Sequence, residues 1–227
     1  MALMALAGCS AAAPEASAQP SASEAARQAR IAMAGVDCLS DDNQKKLVQY
    51  SADGLAYATG PGDTAVVLLH QAGAGLCQWV PYADGLIARG MRGFAIDIRN
   101  STRVEDTVAA VTWLRSQGVR RVIVVGASMG GTTALVAASK TPVDAVVSLS
   151  GPSFYSGMDA VAAVKSLTVP VLIAAGEFET SFADSARELY AACGSKQKRL
   201  ELVPTASHGV SLLSSGLQSA FDSFLTA

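Results

Sequence analysis

From residue 45 onward, short uninterrupted apolar runs alternate with longer segments in which apolar residues recur every three or four positions. The runs fall at 65–69, 93–98, 121–126, 143–149, 169–174 and 200–203. Runs of this length, rich in β-branched residues, read as strands buried on both faces, the condition of a parallel sheet. Helix-length segments lie between them at 82–89, 104–117, 132–139, 182–193 and 212–225. In the second of these, Val104, Val108, Val111 and Leu114 share one face. Residues 47–50 and 55–58 suit an antiparallel edge hairpin. Strand–helix alternation predicts an α/β fold, a mostly parallel central sheet with helices on both faces.

The front of the chain differs. Ala, Ser, Pro, Glu and Gln dominate from Ser10, the composition of a linker with little to bury. The expected organisation is a truncated signal and flexible linker over 1–29, then one globular domain over 30–227. A chain of 227 residues fits one such domain.

Composition excludes several functions. The net charge is −2, charged residues make up 16 %, and the basic residues form no stripe, which argues against nucleic-acid binding. No run reaches the roughly 18 apolar residues of a membrane span. With His70 and His208 as the whole histidine complement and no CxxC spacing, the chain lacks the clustered ligands of a zinc site. No phosphate-binding loop motif is present, and no cofactor is expected.

Gly126-Ala127-Ser128-Met129-Gly130 matches G-x-S-x-G and follows the strongest apolar run directly. The motif places a serine on a tight strand-to-helix turn, with the N–H groups of the new helix aimed at the site. Serine needs a base to become a nucleophile. His208, between the last apolar run and the last helical segment, sits where open α/β sheets place their ligands. His70 ends the first buried run, where it is better suited to shaping a turn. A third group should orient the imidazole, and Glu177, Glu179 and Asp184 all follow the run at 169–174, between the serine and His208 in chain order. Attack on a carbonyl builds an oxyanion. Met129 N–H and an N–H of the loop after the first run, that of Ala72 or in the alternative register Gln71, would bind it.

With these residues in view, residues 50–227 resemble the α/β-hydrolase superfamily, in particular its small dienelactone-hydrolase-like and esterase-like members. The resemblance rests on His70-Gln71, on Gly126 through Gly131, on Gly176-Glu177-Phe178-Glu179 and on Ser207-His208-Gly209. It implies Glu179 as the acid, at a position where relatives hold Asp, with Asp184 as the alternative. Gln71 replaces the family's usual Gly. Dienelactone hydrolases proper use Cys as nucleophile, whereas this chain has Ser128. The short segment 151–168 stands where many relatives carry a large lid, which implies a minimal cap and an open site. The expected activity is hydrolysis of a small ester or similar acyl substrate through an acyl-enzyme on Ser128. Thioesterase, peptidase or acyltransferase chemistry uses the same parts, and a non-catalytic binding module on this fold is the other alternative.

Leu6-Ala7-Gly8-Cys9 resembles the lipobox of bacterial lipoproteins, which implies lipidation at Cys9 and an exported, membrane-anchored protein. Cys38, Cys77 and Cys193 then remain. In an oxidising compartment a Cys38–Cys77 bridge is one expectation and three free thiols the other.

Overall fold

The computed structural model describes residues 22–33 and 36–227. Its main sheet has eight strands in the order β1-β2-β4-β3-β5-β6-β9-β10. These are β1 (Leu47–Gln49), β2 (Leu55–Thr59), β3 (Thr64–Leu69), β4 (Arg92–Ile96), β5 (Arg121–Ala127), β6 (Ala145–Leu149), β9 (Val171–Gly176) and β10 (Lys198–Val203). β2 runs antiparallel to both β1 and β4, and every pairing from β4 to β10 is parallel.

The burial of β3 explains its uninterrupted apolar run. Val67 and Leu69 join the core that contains Leu114, Leu135 and Leu189, while Val66 and Leu68 join the opposite core with Trp79, Leu86 and Phe221. Successive strand side chains point to opposite faces, so a strand covered on both sides needs apolar residues at every position. Helices α4 (Arg103–Ser116), α5 (Met129–Ala138), α6 (Ala160–Val164) and α7 (Thr180–Ala192) cover the first face, and α3 (Val80–Leu86) and α8 (Gln218–Thr226) the second. No helix among the described residues is long and apolar enough to cross a membrane.

The front segment carries helix α1 (Ala22–Met33) and a single turn, α2 (Asp41–Gln44). Helix α1 runs across the boundary expected at residues 29 and 30, and its Ile31 packs against the core. The signal and lipidation readings at Cys9 lie outside the described residues. Cys38 and Cys77 form a disulfide, and Cys193 is a buried free thiol.

One segment differs from the expected elements. The helix predicted over 212–225 is broken: Ser215 and Gly216 leave helical geometry, Gly216 at φ 122°. The Ser215 hydroxyl lies 2.7 Å from that of Ser207, which ties the break to the loop after β10. Residues 151–168 hold a small hairpin, β7 (Phe154–Tyr155) and β8 (Met158–Asp159), followed by α6. Ser156 and Gly157 both take positive φ, as a two-residue hairpin turn of the primed type requires.

Candidate active site

Ser128 ends β5 and opens α5 with φ 52° and ψ −118°, a conformation that a residue other than glycine keeps only when its surroundings enforce it. Close backbone approaches enforce it here. A Cβ on Gly126 would lie 1.9 Å from the Gly130 carbonyl oxygen, and one on Gly130 would lie 2.4 Å from that of Leu69. Helix α5 therefore starts against the end of β3, nearer than a side chain permits. The Ser128 N–H donates to the Leu149 carbonyl at 2.8 Å, which fixes the turn to the end of β6.

His208 follows β10. A Cβ on Gly176 would meet the Thr205 and Ser207 carbonyl oxygens at 2.7 Å, and Phe178 N–H donates to the Thr205 carbonyl at 3.1 Å. The loops after β9 and β10 are thus drawn together. His208 Nδ1 stands 3.0 Å from Glu179 Oε1 and 3.2 Å from Oε2. A carboxylate only accepts, so Nδ1 carries the proton and Nε2 is left as the basic nitrogen. The Phe182 ring lies against the imidazole with centroids 4.4 Å apart.

The other two carboxylates stand elsewhere. Asp184 pairs with Arg187 on the exposed face of α7 at 3.0 Å. Glu177 is exposed, and its bond to β10 is made by its backbone N–H, which donates to the Val203 carbonyl.

The stretches that carry Ser128 and His208 run side by side at their neighbouring residues. A Cβ on Gly209 would lie 3.3 Å from the Ala127 Cβ. The Ser128 hydroxyl makes no hydrogen bond to a group among the described residues, His208 included. Contacts of this kind commonly tighten only when substrate binds.

Around the expected oxyanion position, the Gln71 N–H is already engaged, donating to Gln78 Oε1 at 3.0 Å. The N–H groups of Ala72 and Met129 have no acceptor among the described residues. His70 is buried and shapes this loop. Its Nε2 accepts the Ile98 N–H at 3.1 Å, so the Nδ1 proton donates to the Gln71 carbonyl at 2.9 Å.

Sequence reasoning passed over Ser150. It is buried with φ 49°, donates to Glu179 Oε2 at 3.3 Å and accepts the Gly209 N–H at 3.0 Å. One hydroxyl thereby joins the acid to the histidine loop. The available signal was its place directly after the run at 143–149, at the sheet edge where Ser128 and His208 lie.

A cleft of about 670 Å³ opens beside Met129, lined by Asp53, His70, Asp97, Arg99 and Asn100 among others. Asp106 and then Asp53 hold the Arg99 guanidinium charged well above even its usual range. Arg99 Nε donates to Asp106 at 3.2 Å, and the guanidinium reaches Asp53 at 3.0 Å, so this cation is already matched by carboxylates. Among the described residues no group of three or more His, Cys, Asp and Glu is placed to hold a metal ion.

A model of the dienelactone hydrolase family matches residues 89–212, more than half of the chain. No curated protein sequence matches it. Among solved structures, a dienelactone hydrolase from Anabaena variabilis is 24% identical with a TM-score of 0.62, covering 76% of this chain and 90% of that one. A hydrolase from Pseudomonas aeruginosa is 17% identical with a TM-score of 0.65, covering 82% and 100%. An esterase from Pyrococcus furiosus is 18% identical with a TM-score of 0.63, covering 76% and 84%. These likenesses show the α/β-hydrolase fold.

Proposed function

Because the chain belongs to the dienelactone hydrolase family, we propose that it is a serine hydrolase cleaving an ester or similar acyl bond. The observation that carries this is the His208–Glu179 pair at 3.0 Å, one residue along from Gly209, which packs beside the Ser128 turn.

Ser128 Oγ attacks the acyl carbon while His208 Nε2 takes its proton. The imidazolium that forms is stabilised by Glu179. Charge on the former carbonyl oxygen falls to the Ala72 and Met129 N–H groups and to the positive end of α5. Collapse breaks the bond to the leaving group, which takes the proton from His208 and departs. Water, deprotonated by the same imidazole, then releases the acid from Ser128. The small β7–β8 hairpin, standing in place of a lid, supports small or exposed acyl substrates.

A fluorophosphonate should label the wild type at one site and leave Ser128→Ala unlabelled. A folded wild type that takes no label ends this reading. The Cys38–Cys77 disulfide supports an extracytoplasmic location, where such bonds persist.

A further inference from the structure

A second cavity, of about 270 Å³, lies between the start of α4, the outer side of α5 and the β7–β8 hairpin. Arg103 lines it and is only 8% exposed. Its Nε is sealed from solvent without a hydrogen-bond partner. Neither of its terminal amino groups makes a hydrogen bond or an ion pair among the described residues. The Tyr155 ring lies 5.4 Å from the guanidinium carbon. A buried guanidinium is normally matched by a carboxylate, as the nearby Arg99 is matched by Asp106.

The backbone around Arg103 is open in the same sense. Thr102 caps α4 in position, but its hydroxyl donates to Asp106 and gives the helix no side-chain cap. The N–H groups of Arg103, Val104 and Glu105 therefore have no acceptor among the described residues. A helix start with free N–H groups carries partial positive charge. The acidic residues on the rim do not offset it by contact. Glu105 is exposed, and Asp159 uses Oδ1 to accept the Ala162 N–H at the start of α6. Lys140 adds a cation to the rim.

We propose that this cavity is an oxyanion-binding site, taking a carboxylate or phosphate group on the Arg103 fork and the first turn of α4. A planar two-oxygen acceptor matches the guanidinium bidentately, and helix starts are ready-made anion sites. Asn100 lines both this cavity and the cleft beside Met129. The anion can therefore be a free ion or the acidic end of a substrate; the second case rests on the hydrolase reading, the first does not.

The test is titration of the full chain with inorganic phosphate, and separately with succinate, at constant ionic strength, followed by calorimetry. Saturable binding in the wild type, with the Kd raised about tenfold or more in Arg103→Met, is expected. Wild type that does not bind, or Arg103→Met that binds equally, overturns the site. Should Arg103→Met fail to fold, Arg103→Lys keeps the charge without the fork and should bind several-fold more weakly; unchanged affinity there also overturns it. A second arm compares hydrolysis of a neutral aryl acetate with that of a monoaryl succinate. A KM raised by Arg103→Met for the acidic ester alone assigns the substrate's carboxylate; KM unchanged for both, with phosphate binding lost, assigns a free anion. The titration needs no turnover, so an inactive wild type would sink the hydrolase reading without touching the anion site.

Discussion

His208 and Glu179 meet at 3.0 Å although they stand on loops after two adjacent parallel strands, β10 and β9. The contact orients a ring nitrogen and places a negative charge behind the imidazolium of the proposed mechanism. Glu179→Gln keeps the shape and removes the charge, and should lower kcat about 10³- to 10⁴-fold. Asp184→Asn, on the exposed face of α7, should leave kcat within about twofold. Steady-state kinetics on an aryl ester compares them, and the reverse ranking would move the acid to Asp184.

Ser150 holds the acid and the histidine loop through one hydroxyl. Ser150→Ala leaves Glu179 Oε2 and the Gly209 N–H each without that partner, at a cost of about 1–3 kcal/mol. We expect kcat to fall about tenfold or more, with fluorophosphonate labelling slowed rather than abolished. Unchanged kinetics in a folded variant would remove Ser150 from the site.

The Cys38–Cys77 bridge spans 39 residues of chain and is anchored in the turn just beyond the expected oxyanion loop. Chain-entropy arithmetic for a loop of that length gives about 4 kcal/mol. The double variant Cys38→Ser/Cys77→Ser should lose stability on that scale in urea unfolding. Intact mass with and without reductant should differ by two hydrogens in the wild type.

Burial pushes the Tyr57 hydroxyl up from its ordinary value of 10.0. Its proton is held more tightly folded than unfolded, so its contribution to stability is complete below about pH 10 and is lost as pH rises through the higher folded value. Urea midpoints measured from pH 8 to 11 should fall above pH 10 in the wild type. They should fall less steeply in Tyr57→Phe, which has no hydroxyl to ionise.

The central strands were legible because parallel strands buried on both faces carry an apolar residue at every position, as β3 and β5 do. Ser128 and His208 stood out as candidates because each follows such a run, and few residue types can serve as nucleophile or base. The carboxylate partner of His208 was not separable by pattern alone: Glu177, Glu179 and Asp184 share one short stretch, and only the fold turns Glu179 toward the ring. The mark Ser150 carries in the sequence is weak, its place directly after the run at 143–149, and a serine ahead of Gly151-Pro152 reads as an ordinary turn residue. The break at Gly216 was hidden because Leu213, Leu217, Phe221 and Leu225 keep helical spacing across it and bury on one side. A hydroxyl contact to Ser207 accompanies the break, a long-range partner that periodicity does not register.

The tight seating of α5 on the end of β3 leaves this protein two kinds of ground for evolutionary change. At Gly126 and Gly130 any side chain collides with backbone, so those positions are closed to drift. The loops that wall the cleft at 73–74 and 97–100 carry no strand of the main sheet. On the proposed hydrolase reading, new preferences for acyl group or alcohol can therefore arise there by insertion or exchange, with the turn at residue 128 inherited intact.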